Sequence, residues 1–178
     1  MSTSESKGAP SLPDILLTGP LLDGAPLAHR RGLLQALPYK RVAAGTTLFR
    51  EGDSGEAMFI VVSGEVSLST SAGGVQRVEL DRARAGEVFG ELAIISPAAR
   101  FARAQATQDS ELLMVERRAF QRLLEARSPA GEALLRHLTQ RVCRRLRRSN
   151  ARIALISDAL AGADSAWLRG RARVLEQM

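Results

Sequence analysis

The spacing of apolar residues changes twice along this chain, and the changes divide it into segments. Up to about residue 24 the sequence is rich in Ser, Pro and Gly and reads as a mobile arm, with Leu16, Leu17, Leu21 and Leu22 available to dock part of it. Pro26 then opens a short helical pattern carried by Leu27, Leu33, Leu34 and Leu37, and Pro38 ends it. From Tyr39 to Val115 the period shortens to that of strands. Met58-Phe59-Ile60-Val61-Val62 is a continuous apolar run, which predicts a strand buried on both faces. Val66 and Leu68 alternate with Glu65, Ser67 and Ser69, the pattern of a half-exposed strand. Ala72-Gly73-Gly74 predicts a hairpin turn into Val78 and Leu80. Further strands are predicted at Thr47–Phe49, Ala102–Ala106 and Glu111–Val115. Many short strands punctuated by glycine predict a mainly β fold, an antiparallel jelly-roll barrel with flanking helices.

After Val115 the period becomes helical. Phe120, Leu123 and Leu124 form one short apolar face. Ser128-Pro129 then reads as N-cap and first turn of a long helix. Leu135, Leu138, Val142, Leu146, Ile153 and Leu160 continue on helical spacing towards Gly162, a stop signal. Such a helix is roughly 45 Å long, more than a small barrel covers, so its apolar stripe calls for a second copy of the chain. The expected organisation is an arm (1–24), a jelly-roll domain (25–127), a long dimerisation or lid helix (128–162) and a short helix (163–178) around Trp167, Leu168, Val174 and Leu175.

Composition narrows the class. The chain has 178 residues, 45% of them hydrophobic and 4% aromatic, so its core rests on Leu, Val, Ile and Ala. The net charge of +6 is carried almost wholly by arginine, with Lys7 and Lys40 the only lysines, and permits an anionic partner without identifying one. The single cysteine, Cys143, excludes an intramolecular disulfide. The N-terminus lacks the basic start and apolar core of a secretory signal, and no apolar run approaches the roughly 18–20 residues of a bilayer span. A soluble, cytoplasmic protein is the expectation.

The chemistry concentrates in Phe89-Gly90-Glu91-Leu92-Ala93-Ile94-Ile95, followed by Arg100. An arginine fork suits a phosphate, a carboxylate suits a hydroxyl, and a glycine admits a ligand close to the backbone. Peptide N–H groups opening a short helix at Leu92-Ala93-Ile94 favour an anion. A nucleotide whose ribose and phosphate are held rigidly together meets both demands.

In its order of strands, Phe-Gly-Glu loop, arginine and long helix, the chain resembles the cyclic nucleotide-binding domain family from about Gly45 to Ile153. Gly45-Thr46-Thr47-Leu48-Phe49-Arg50-Glu51-Gly52-Asp53 and Met58–Val66 resemble its first strands, and Gly86-Glu87-Val88-Phe89-Gly90-Glu91 with Arg100 resembles its phosphate-binding cassette. The resemblance implies that Glu91 accepts a hydrogen bond from the ribose 2′-hydroxyl and that Arg100 pairs with the exocyclic phosphate oxygens. It implies that backbone N–H groups of Gly90 and Leu92 complete the cradle, with Phe89, Ala93, Phe101 and Ala102 lining it. Arg144-Arg145-Leu146 with Ser149-Asn150 extends the likeness to the dimer helix of catabolite activator-type regulators. There Arg145 would reach towards the loop glutamate, and Ser149 and Asn150 would meet the base. Two departures stand out. Ala99 precedes the arginine where the family usually has proline, with Pro97 displaced, and Phe101 follows it where the family has Ala, Ser or Thr. In the regulator branch the helix leads into a DNA-reading domain; here only Ala163 to Met178 follow, so a sensor without its own output is expected.

Each sharp reading has a plainer rival. Glu91 and Arg100 also suit a structural ion pair in a degenerate domain. Arg136, Arg141, Arg144, Arg145, Arg147, Arg148 and Arg152 suit a solvated helix face better than a nucleic-acid contact. His29 and His137 are the only histidines, too few for a metal-dependent enzyme on the same barrel, and no nucleophile–base set emerges. Cys143 reads as a packed small hydrophobe and Trp167 as a docking residue. The expectation is therefore a non-enzymatic, dimeric regulator that needs no cofactor or metal. It binds cAMP or cGMP and signals to a protein effector by moving its long helix. The alternatives are a ligand-independent scaffold and, behind it, a DNA-binding regulator.

Overall fold

The computed structural model describes residues 12–72, 76–96 and 98–175. The chain divides into two compact units, one up to His137 and one from Leu138 onward.

In the first unit, helix α1 (Asp14–Thr18) and a 3-10 turn (Pro20–Leu22) precede α2 (Leu27–Ala36). Eight strands follow among the described residues: β1 (Tyr39–Val42), β2 (Thr47–Phe49), β3 (Ala57–Ser63), β4 (Glu65–Ala72), β5 (Gln76–Arg84), β6 (Val88–Phe89), β7 (Arg103–Ala106) and β8 (Ser110–Glu116). A short helix, α3 (Leu92–Ile95), lies between β6 and β7, and α4 (Arg117–Glu125) leads to α5 (Pro129–Leu175). The strands form two four-stranded sheets, ordered β1-β8-β3-β6 and β2-β7-β4-β5. Every pairing is antiparallel. Val42, Phe59, Val61, Phe89 and Leu112 of the first sheet share one core with Val66, Leu68, Ala83, Ala104 and Ala106 of the second. This is the jelly-roll arrangement expected, built as two sheets over a common core rather than a closed barrel.

Strand periodicity explains most of these elements. Residues 57–62 of β3 are all buried, as a continuous apolar run requires. Pro26 and Pro38 flank α2 as expected. The proposed turn at Gly73-Gly74 lies outside the described residues, as does Pro97. Periodicity did not single out β1 or the two-residue β6 as separate strands.

Four expectations need correction. The segment before residue 24 is not an arm over its described part, because Leu16, Leu21 and Leu22 are fully buried. Arg30 secures it by donating through Nε to the Ala25 carbonyl at 2.7 Å and through Nη1 to the Leu17 carbonyl at 3.0 Å. Glu65, on the nominally polar face of β4, is buried. It is neutralised there by Arg82 Nη1 at 2.7 Å and Arg84 Nε at 2.9 Å. Gly162 does not stop the last helix, and no separate short helix follows; α5 runs unbroken to Leu175. One helical glycine lowers stability by only about 1 kcal/mol, less than continuous backbone hydrogen bonding returns. Cys143 is exposed rather than packed.

In the second unit, Leu146, Ile153, Leu155 and Ile156 are exposed on α5. No helix among the described residues is long and apolar enough to cross a membrane.

Candidate functional site

Three phenylalanines carry the site on the core. Phe59 and Phe89 stack with ring centroids 5.2 Å apart, and Phe49 closes the group at 6.3 and 6.1 Å from them. The Arg100 guanidinium lies over the Phe49 ring, 4.1 Å from its centroid, in cation–π geometry. Phe89 is the last residue of β6, so the chain leaves the core directly into Gly90 and Glu91.

Gly90 adopts φ +73°, a left-handed conformation that turns the chain from β6 into α3. Its carbonyl accepts from the Ala93 N–H at 3.3 Å and from Arg100 Nη1 at 3.1 Å. Arg100 Nη2 donates to the Ala57 carbonyl at 2.6 Å. A Cβ on Gly55 would lie 3.1 Å from Arg100 Nε and 2.5 Å from the Ala93 side chain, so the absent side chain there makes room for the guanidinium. The Arg100 backbone is pinned as well, its N–H donating to the Asp53 carbonyl at 2.7 Å and its carbonyl accepting from Gly52 at 2.9 Å.

Arg100 is buried, and among the described residues no carboxylate forms an ion pair with it. Among the described residues its Nε, a buried donor, has no hydrogen-bond partner. Burial pulls its pKa below the ordinary arginine value; Asp53 opposes that shift and Arg117 adds to it. Glu91, 2% exposed, opens α3 immediately after Gly90. A buried cation beside a buried acid, with the cation held by carbonyls and an aromatic face, is a site where an anion gains in electrostatic energy.

The predicted residues separate into two groups. Phe89, Gly90, Glu91, Leu92, Ala93, Arg100, Phe101 and Ala102 all belong to the first unit, on β6, α3 and the approach to β7. Phe89, Glu91, Ala93, Arg100 and Ala102 are buried, while Leu92 is at the surface. Phe101 is 58% exposed, so its ring points away from the core. Arg145, Ser149 and Asn150 belong to α5 in the second unit, where Ser149 and Asn150 are exposed and Arg145 is half-buried.

Sequence reasoning missed Phe49, Gly55 and Arg117. Arg117, the first residue of α4, donates through Nε to the Ala93 carbonyl at 2.9 Å and through Nη2 to the Gly55 carbonyl at 2.6 Å. Arg117 and Arg100 therefore clamp the same two segments, Gly55–Ala57 and Gly90–Ala93. The glycine at position 55, in the turn before an apolar strand, was the available signal; nothing in the sequence set Arg117 apart from the other arginines. Arg103, the first residue of β7, donates through Nη2 to Thr47 Oγ1 at 2.6 Å.

Known proteins share this fold. The profile of the cyclic nucleotide-binding domain matches residues 39–127. The cyclic AMP receptor protein of Thermus thermophilus is 33% identical over 144 residues, covering 76% of this chain and 64% of the relative. A cAMP-dependent protein kinase regulatory subunit from Colletotrichum orbiculare is 32% identical over 111 residues, covering 62% and 28%. The chain thus spans less than two thirds of the length of either relative. Among solved structures, the Thermus thermophilus catabolite activator protein superposes with a TM-score of 0.71 at 29% identity, covering 78% of this chain and 63% of that one. The N-terminal domain of a transcriptional regulator from Streptomyces coelicolor gives 0.63 at 30% identity, covering 78% and 93%. The profile match spans half of the chain, and the chain belongs to the cyclic nucleotide-binding domain family.

Proposed function

We propose that this protein is a regulator that binds a purine 3′,5′-cyclic nucleotide, cAMP or cGMP, at the Gly90–Glu91–Arg100 cassette. One observation carries the reading: Arg100 is a buried guanidinium with no carboxylate ion pair among the described residues. A cyclic phosphodiester would supply the missing counter-charge, and Glu91 would accept from the ribose 2′-hydroxyl. Two relatives are named for cAMP, which favours that nucleotide. Arg145, Ser149 and Asn150 would meet the base from α5, and the ligand would signal by favouring one position of that helix.

Two copies would associate through α5, whose exposed Leu146, Ile153 and Ile156 form an apolar row at helical spacing. A protein effector would read the ligand-dependent state.

Calorimetry with cAMP and cGMP tests the pocket. Arg100→Ala should weaken binding by about 30-fold or more, the equivalent of about 2 kcal/mol or more for truncating one partner of a buried charge pair. Glu91→Ala should also weaken it. Binding unchanged in both variants removes the proposed pocket. The second reading, a ligand-independent scaffold, is favoured by the two carbonyls that already hold Arg100. It requires that neither nucleotide shift the melting temperature at millimolar concentration.

A further inference from the structure

We propose a second anion site, on the outer face of the β2-β7-β4-β5 sheet, that takes a phosphate or diphosphate group. Strand register builds it. Arg77 of β5 stands opposite Ser71 of β4, and Ser69 of β4 stands opposite Arg103 of β7. Residues directly opposite on antiparallel strands point to the same face, and so do residues two apart on one strand. Arg77 with Ser71 and Ser69 with Arg103 therefore lie on one face in two adjacent rows across three strands; Glu79, opposite Ser69 on β5, shares that face and is ion-paired with Arg82. That face is the outer one, because Ala104, next to Arg103, is buried in the core.

Arg50, just after β2, adds a third guanidinium, and the group lines a half-open pocket of about 190 Å³. Glu51 also lines it, but both its oxygens are engaged: Oε1 accepts from Thr70 Oγ1 at 2.9 Å and Oε2 from the Ser71 N–H at 3.1 Å. Glu51 thus braces the Arg50 turn against β4. Among the described residues none of Arg50, Arg77 and Arg103 forms an ion pair. Arg103 is fixed by its bond to Thr47, yet its Nε is buried and has no hydrogen-bond partner among the described residues.

Guanidinium forks and serine hydroxyls are donors that match the oxygens of a phosphate. The cavity is smaller than the roughly 300–1,000 Å³ of pockets that enclose a whole drug-sized ligand. It suits one anionic head, either a free inorganic anion or the diphosphate of a larger molecule that extends into solvent. None of its lining residues belongs to the Gly90–Glu91–Arg100 cassette, so the site stands apart from the cyclic nucleotide reading.

Titration calorimetry of the full chain at low ionic strength, with inorganic pyrophosphate and separately with ADP, tests it. Pyrophosphate should bind, and Arg77→Ala and Arg103→Ala should each weaken binding by roughly tenfold, as expected for lost charge-assisted hydrogen bonds. Arg77 is exposed and its replacement should leave the fold intact, so a folding failure of the Arg103 variant would not decide the outcome. Arg100→Ala and Arg118→Ala, the latter at an exposed residue of α4 outside the pocket, should leave binding unchanged. Equal affinity for ADP identifies the diphosphate of a nucleotide as an acceptable occupant; binding of pyrophosphate alone identifies the free anion. Absence of pyrophosphate binding overturns the proposal. So does an equal loss in the Arg118 variant, which would mark a general charge effect, or a loss in the Arg100 variant, which would locate the anion at the cassette.

Discussion

The guanidinium of Arg100 rests on the backbone of Gly90: Nη1 donates to the Gly90 carbonyl at 3.1 Å, and a Cβ at position 90 would stand 2.7 Å from that nitrogen. The glycine thus serves the turn, through φ +73°, and the arginine, through its missing side chain. Gly90→Ala should lower stability by about 1–2 kcal/mol from the left-handed backbone alone and displace Arg100 as well. Thermal denaturation should show the lower midpoint, and cyclic nucleotide binding should be lost with it.

Arg117 holds the opposite end of the same loop. Its replacement by alanine leaves the Ala93 and Gly55 carbonyls without their guanidinium donor and should cost about 1–3 kcal/mol in chemical denaturation. Arg117→Lys should recover only part of that, because a point ammonium lacks the planar fork that spans two acceptors. A lysine variant as stable as wild type would show that charge alone suffices.

Phe101 is exposed, so its loss should barely touch the fold. Phe101→Ser should leave stability within about 0.5 kcal/mol of wild type. It should tighten cyclic nucleotide binding by about fivefold, the worth of one hydroxyl hydrogen bond of roughly 1 kcal/mol. Calorimetry beside a melting curve separates the two effects.

Glu65 couples stability to pH. The Thr107 hydroxyl, then the Arg82 guanidinium, hold its carboxyl below the ordinary value of 4.5. A depressed folded-state pKa contributes stability that is complete above the unfolded value and lost as pH falls through the folded one. Wild type should therefore exceed Glu65→Gln in melting temperature at neutral pH, and the gap should narrow as pH drops below about 4.5. A constant gap down to the acid transition would show that the carboxylate charge contributes nothing.

The N-terminal segment should behave as core. Leu21 is fully buried, so Leu21→Ala should destabilise by about 2–5 kcal/mol, whereas a solvated arm would tolerate it. Urea denaturation at equilibrium reads the difference.

Where a residue's fate depends on its near neighbours, the sequence was legible. The apolar run of β3, the proline-bounded α2 and the turn at Gly90 into α3 follow from local period and turn chemistry. Where a fate depends on distant neighbours, it was not. Glu65 alternates like a surface residue yet is buried, because Arg82 and Arg84 on the adjacent strand reach it. Gly162 looks like a stop yet lies within α5.

The order of short strands, the Gly-Glu loop and the arginine after it were determined by sequence alone, since alternation and backbone preference act over a few residues. Only the tertiary structure decided what holds that arginine: the Ala57 carbonyl, the Phe49 ring and the space left at Gly55, all brought from far along the chain. Such partners are chosen by the packing of two sheets over one core, and no local pattern records which strands will meet.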